Sequence, residues 1–200
     1  PRACHETELV IAPTHSRKHI AVVGAGPAGL ACATTAAERG HRVTLFDASN
    51  DIGGQFNLAR RIPGKEEFHE PLRYFRNLID ETGVELRLGM RADAEQLRGF
   101  DAVVIATGVT PRQVSFPGAD HPKVVGYLDA LEGRVVPGAK VAIVGSGGIG
   151  FDVAEFLVQE GPSPSLDPAR WMAEWGIDPG FTSARGLAKA RPEPPARTLW

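Results

Sequence analysis

The sequence predicts an α/β fold with parallel strands, and three stretches carry that prediction. Ile20–Asp47 reads as strand, glycine turn, helix, strand and acid; Asp101–Ala106 reads as a short buried strand; Lys140–Gln159 repeats the order strand, glycine turn, helix. Parallel strands need crossover connections, and alternating strands and helices supply them.

The first stretch is the most informative. Its apolar run, Ile20 to Val23, ends at Gly24, and Ala25, Gly26, Pro27, Ala28 and Gly29 follow. Gly24 lets the chain turn off the strand, Gly26 lets a pyrophosphate approach the backbone, and Gly29 lets the helix lie close to the strand. Free N–H groups and the positive end of the helix dipole then face the anion. The Ala-rich run closes at Gly40, and a second apolar run ends at Phe46. Asp47 stands 18 residues after Gly29, close to the ~20 at which a carboxylate receives ribose hydroxyls. The unit is therefore read as a Rossmann-like dinucleotide site. The rival reading, a glycine-rich turn in an unliganded α/β domain, is outweighed by the flanking strands, the Gly40 stop and the acid.

Residues 1–18 are polar, broken by Pro13, and read as an incoming connection. Ala48–Gly64 carries Gly53, Gly54, Pro63 and Gly64, which is turn chemistry, and so long a loop directly after the acid is expected to be functional. Phe68, Leu72, Phe75 and Ile79 line one face of a helix within Lys65–Thr82, ended by Gly83. Pro71 means that this helix either starts near Glu70 or bends there. Val84, Leu86 and Leu88 alternate with Glu85 and Arg87 as a half-buried strand, and Asp93 caps a short turn, Ala94–Arg98. Asp101–Ala106 runs into Thr107 and Gly108. Prolines at 111, 117, 122 and 137 punctuate a connector in which Tyr127–Leu131 is a helical turn.

Lys140–Val144 is the next apolar strand, followed by Gly145, Ser146, Gly147, Gly148, Ile149 and Gly150, then a helix over Phe151–Gln159. This second fingerprint predicts a second nucleotide site. It lacks the acid or base about 20 residues on that would complete it. Instead Gly161–Pro195 holds seven prolines, with Asp167-Pro168 and Gly176 as the start and stop of a short helix. The following strand begins only at Arg197–Trp200, so the residues that select NADH or NADPH are expected beyond Trp200. The domains expected are 1–18 as connection, 19–136 as the first nucleotide domain and 137–200 as the second, both truncated. The absence of an initiator Met and the stop within a strand point to a piece of a longer polypeptide.

Composition narrows the function classes. The net charge of −2 leaves no basic footprint for nucleic acid. No apolar run approaches the ~18 residues of a membrane span. Cys4 and Cys32 form no CxxC and no zinc set, and Cys32, in the Ala-rich helix, reads as packing. These features favour the cytosol. The six histidines all read as surface, and Trp171 and Trp175, four apart, are expected to pack the inserted helix against the body.

Two fingerprints with Ala106-Thr107-Gly108 between them resemble the two-dinucleotide-binding flavoproteins, although alone that tripeptide is an ordinary strand-end turn. The stretches PRACHE at Pro1, LFD at Leu45, IGGQFN at Ile52, IPGKEEF at Ile62, DHPKV at Asp120, GGIGFD at Gly147 and EWGID at Glu174 narrow the resemblance to bacterial-type NADPH-dependent 2,4-dienoyl-CoA reductases, over essentially the whole chain. The resemblance implies an FAD-binding domain with an inserted NADPH-binding domain. It also implies an upstream barrel carrying FMN, a [4Fe–4S] cluster and the acyl-CoA site. Electrons would run from NADPH through FAD, the cluster and FMN to a conjugated acyl-CoA. It implies FAD contacts at Gly24, Gly26, Pro27, Ala28, Gly29, Asp47, Gly54, Gln55, Lys65, Ala92, Thr107 and Gly108, and NADPH contacts at Gly145, Gly147, Gly148 and Gly150. No residue of this chain is expected to act as acid, base, nucleophile or metal ligand, and Cys4 falls past the cluster ligands. The alternatives are the same module serving an enoate reductase-like or amine dehydrogenase-like barrel, and a nucleotide-binding fragment without turnover.

Overall fold

The structure, a computed structural model, describes residues 3–200, so Pro1 and Arg2 of the incoming connection lie outside the described residues. The chain divides into two compact units. One contains residues up to Asn57 together with Phe68–Gln113; the other contains Leu58–Glu67 together with Val114–Trp200. The expected boundary at 136/137 lies inside the second unit, which also takes in residues 58–64, the last seven of the loop after Asp47.

The first unit is built on a four-stranded parallel sheet in the order β3-β2-β1-β4, with β1 at His19–Val23, β2 at Arg42–Phe46, β3 at Glu85–Arg87 and β4 at Ala102–Ile105. The chain leaves β1 for β2 on one side and returns to β4 on the other. The end of β1 is therefore a topological switch point, where a crevice opens beyond the strand ends. Helix α1, Pro27–Glu38, follows the first glycine turn with proline at its start, where a missing N–H costs nothing. Helix α2 runs from His69 to Thr82 after a 3₁₀ turn at Glu66–Phe68, and Gly83 ends it in the left-handed conformation. Of the two options left by Pro71, the later start is the one adopted; at the third helical position its missing N–H has no intrahelical partner to lose.

Val22, Leu30, Ala33, Val43, Leu45, Ile52, Ile79 and Val84 form the core between sheet and helices. Cys32 packs at its margin, and burial pushes its thiol up. A capping box at Asp93 starts α3, Ala94–Leu97: its carboxylate receives the Gln96 N–H while the Gln96 side chain receives that of Asp93.

Two expectations fail here. β4 is not buried on both faces: Val103 and Ile105 are 40% and 66% exposed, while Val104, on the opposite face, packs against the core. His19 is not a free surface residue either. It is half-buried, its Nε2 lies 3.2 Å from Thr44 Oγ1, and its ring stacks on Phe100 at 4.3 Å. His41 is half-buried as well and accepts the Lys18 N–H.

The second unit holds α4 at Tyr127–Leu131, β5 at Lys140–Val141, α5 at Gly148–Val158, α6 at Pro168–Trp175 and β6 at Thr198–Leu199. β5 and β6 pair in parallel, and the Ile143 N–H donates to Trp200 O beyond the ladder. The ladder is shorter than the apolar run Lys140–Val144, since only the stretch that meets a partner can pair. Asp167 caps α6 by accepting from the N–H groups of Ala169 and Arg170, and Gly176 closes it. Trp171 and Trp175 meet in a tilted ring contact at 6.0 Å but do not seal the helix to a body, for no residue of α6 is buried. Among the described residues no helix is long and apolar enough to cross a membrane.

Candidate functional site: two glycine turns

The first turn leaves β1 at its switch-point end. A Cβ added at Gly24 would stand 2.3 Å from Ala106 O, and one at Gly29 would stand 1.8 Å from Gly24 O. Both positions are sterically closed to any side chain, and Gly24 has φ +109° besides. At Gly26 the nearest atom to such a Cβ is Gly54 Cα, 4.0 Å away. Inside the protein Gly26 therefore has room, and packing within the chain does not require a bare backbone there. Pro27 and Ala28 open α1, whose first N–H groups face the turn.

Asp47 ends β2 beside this turn. Its Oδ2 accepts the Ala25 N–H at 2.6 Å and its Oδ1 accepts the Ser49 N–H at 2.7 Å. The carboxylate thus fixes the turn as well as standing where a ribose is expected. The Asp47 carbonyl accepts the Met90 N–H at 2.9 Å and that of Ser49 accepts from Gly89 at 2.8 Å, which lays the stretch leading to Ala92 along the same strand end. The Gly53 N–H donates to Ala25 O at 2.8 Å, and a Cβ on Gly54 would lie 3.0 Å from Gly26 Cα. Gln55 Nε2 reaches Val109 O at 3.5 Å, beside Thr107 and Gly108. Gly24, Gly26, Gly29, Asp47, Gly54, Gln55, Thr107 and Gly108 therefore converge on the ends of β1, β2 and β4, while Ala92 follows the stretch bonded at Met90. Ala106 joins them, and spacing alone does not indicate how tightly it closes on the turn.

The second turn, Gly145–Gly150, leads from the β5 side into α5. Gly145 has φ +123°, and a Cβ on Gly150 would lie 2.3 Å from Gly145 O, repeating the Gly24–Gly29 relation. A Cβ at Gly147 or Gly148 would meet no described atom within 4 Å. α5 starts at Gly148, not at Phe151, so the last glycines belong to its first turn, as Gly29 does in α1.

The Lys65 segment belongs to the second unit, where Lys65 Nζ lies 2.6 Å from Asp152 Oδ1, on α5. The same segment is tied down at two further points: Arg61 Nη1 donates to Leu131 O at 2.8 Å, and Ser165 Oγ donates to Glu66 Oε2 at 2.8 Å. Burial pushes Glu66 up, but hydrogen bonds from Ser163, its own N–H, Ser165 and the Gly64 N–H outweigh it and hold the carboxyl below its usual range. Sequence reasoning passed over Asp152; its place one turn into the helix after a fingerprint was the available signal.

A parallel sheet with a glycine turn at its switch point, an acid at the next strand end and a second such turn defines a nucleotide-dependent oxidoreductase fold. The chain belongs to the pyridine nucleotide-disulphide oxidoreductase family, whose model matches residues 18–163. Over 164 residues it is 35% identical to a bilirubin reductase of Mediterraneibacter gnavus, covering 81% of this chain and 26% of that protein. Over 167 residues it is 40% identical to an N,N-dimethylglycine/sarcosine dehydrogenase of Chromohalobacter salexigens, covering 78% and 24%. It superposes on 2-naphthoyl-CoA reductase, solved with 2-naphthoyl-CoA, with a TM-score of 0.75 and 28% identity, covering 100% of this chain and 35% of that one. The chain spans about a quarter of the length of these curated relatives.

Proposed function

We propose that this chain is the electron-entry module of an NAD(P)H-dependent flavin oxidoreductase, with FAD on the first turn and NADPH on the second. The observation that carries the reading is the presence of two strand–glycine turn–helix units in one chain, each opening a helix at the turn. The residues fit the two cofactors. Gly26, Gly147 and Gly148 have space where a Cβ would go, so their bareness answers to a ligand rather than to packing.

When bound, the two cofactors supply hydride transfer between nicotinamide and flavin. The chain's own part is to hold them. The N–H groups at the starts of α1 and α5 receive the pyrophosphates, Asp47 receives the FAD ribose, and Gln55, Ala92, Thr107 and Gly108 border the flavin nucleotide. No side chain here needs to move a proton. FMN and a [4Fe–4S] cluster are proposed for a part of the protein outside this chain, and a 2,4-dienoyl-CoA as the final acceptor; likeness to 2-naphthoyl-CoA reductase supports an acyl-CoA. Likeness to the dimethylglycine/sarcosine dehydrogenase supports the second reading, the same module beside an amine-oxidising barrel. We place the protein in the cytoplasm, without nucleic-acid or membrane partners.

The test is a visible spectrum of the protein mixed with FAD, followed by anaerobic addition of NADPH. Bleaching of bound flavin by NADPH is the expected outcome. Flavin that binds but stays oxidised would remove NADPH from the reading and favour the amine-oxidising alternative. A protein that binds NADPH and no flavin would leave a nucleotide-binding domain alone.

A further inference from the structure

We infer that the groove between the C-terminal ends of α4 and α5 is a binding site for a medium-chain monocarboxylate. The site lies apart from both glycine turns and does not depend on their reading as cofactor sites.

The groove encloses about 320 Å³ and belongs wholly to the second unit. Two guanidiniums line it, those of Arg61 and Arg197. Helix ends leave carbonyls without partners, and these side chains take them. Arg61 Nη1 donates to Leu131 O at 2.8 Å, at the end of α4. Arg197 Nη1 donates to Leu157 O at 2.9 Å, near the end of α5, and its Nε donates to Pro137 O at 3.3 Å. These bonds hold both guanidiniums in place without using up their donors. A guanidinium carries five N–H groups, and Nη2 of each arginine bonds to nothing among the described residues.

Capping accounts for the bonds that are made, but not for two cations placed in one groove. Arg73, Arg76, Arg87 and Arg170 each meet a carboxylate. Arg61 and Arg197 meet none among the described residues. Two positive charges lining one concavity repel each other and focus their field on an anion that enters it. The forked geometry of their free donors suits a carboxylate or a phosphate.

The rest of the lining decides between these. Val136, Pro137 and Phe156 make the wall apolar, and Val136 is 81% exposed. A bare phosphate covers none of that surface, whereas an aliphatic chain gains with every CH₂ it buries. Glu160 lines the groove as well and bonds to neither arginine, so a second negative charge on the ligand is repelled. A single carboxylate on an aliphatic chain satisfies all three features. The volume lies at the small end of ligand pockets, which run from roughly 300 to 1,000 Å³, and is too small for a dinucleotide. The 11 residues of α5 separate the groove from the second glycine turn, a length of roughly 16 Å, so the carboxylate and NADPH occupy different places.

The test is calorimetry of the full chain with three probes: octanoate, octanol and inorganic phosphate. Octanoate is expected to bind at least ~10-fold more tightly than either of the others, because it alone uses both the guanidiniums and the wall. Octanol binding as tightly removes the guanidiniums from the site, and phosphate binding as tightly removes the wall; either result overturns the inference, as does failure of octanoate to bind. Arg61→Gln is expected to weaken octanoate ~10-fold at low salt and less at high salt. Arg61 also caps α4, so Glu160→Gln is measured beside it. Removing that exposed carboxylate is expected to tighten octanoate ~3-fold, a gain that a loosened fold does not produce. Unaltered affinity in either variant overturns the inference. Saturating NADPH is expected to leave octanoate binding unchanged. Displacement of octanoate by NADPH would place it in a nucleotide turn and overturn the separate site, while leaving the proposed function intact.

Discussion

Around the first glycine turn, Gly24 is pressed by Ala106 O, Gly26 is faced by Gly54, and the Ala25 N–H is taken by Asp47. Around the second, Gly145, Gly147 and Gly148 have no described atom within 4 Å of where a Cβ would stand, and only Gly150 is closed, by Gly145 O. The two turns share one sequence pattern but not one environment. The difference comes from the sheets. β1 is central, with β4 delivering Ala106 and β2 delivering Asp47 to either side, whereas β5 pairs with β6 alone among the described residues. The comparison separates two duties within one motif. The last glycine, Gly29 or Gly150, lets the helix lie against the turn and is needed whether or not a ligand is present. The middle glycines, Gly26, Gly147 and Gly148, have room for a Cβ, so packing does not demand them; on the proposed reading they leave the backbone bare for a ligand.

This division can be broken by substitution, beginning where the effect should be largest. Gly29→Ala places a Cβ 1.8 Å from Gly24 O and is expected to lose about 3 kcal/mol of stability, read as a lower denaturation midpoint. Gly150→Ala should act in the same direction. A stable Gly29→Ala would show that the turn yields and that the steric duty is misassigned.

Asp47→Ala is next. It removes the acceptor of the Ala25 and Ser49 N–H groups and, on the proposed reading, the FAD ribose contact, so FAD affinity should fall by roughly 1.5–3 kcal/mol. Unchanged affinity for FAD would leave Asp47 as a structural brace only.

Gly148→Ala should do the opposite of Gly29→Ala. Alanine in place of glycine favours a helix by about 0.5–1 kcal/mol, so the melting temperature should hold or rise. NADPH affinity should meanwhile fall tenfold or more, about 1.4 kcal/mol. A variant that is both destabilised and unchanged in binding would merge the two duties again.

Asp167→Ala, outside both turns, removes the cap of α6 and should cost about 1 kcal/mol without changing the affinity for either cofactor. It checks that stability and binding are being read independently.

The smallest effect is with pH. Hydrogen bonds from Thr182 and Ser183 lower the Asp178 carboxyl from 3.8 to about 2, with a further bond from the Gly180 N–H. A depressed carboxyl contributes stability that is fully present above its ordinary value and is lost as pH falls through about 2. The loop after α6 should therefore loosen progressively as pH falls from 3.8 towards about 2, a change that the fluorescence of Trp175, at the end of α6, would report.

Both turns, the helices that follow them and Asp47 were legible in the sequence because each rests on contacts within about 30 residues of chain. The caps at Asp93 and Asp167 and the stops at Gly83 and Gly176 were legible for the same reason. What was misread depended on neighbours distant in sequence. An apolar run such as Asp101–Ala106 does not say whether its strand is central or at the edge. A half-buried His19 depends on Thr44 and Phe100, and a helix carrying two tryptophans does not reveal that neither is covered.

The sequence by itself determined that this chain is a nucleotide-binding α/β protein with two phosphate turns, since glycine spacing and apolar periodicity are local properties of the backbone. Only the tertiary structure decided what surrounds each turn. It brought Ala106 and Gly54 onto the first and left the second open. It also set Lys65 on Asp152. Those pairings join residues tens of positions apart, and nothing in the spacing of either partner encodes where the other will be.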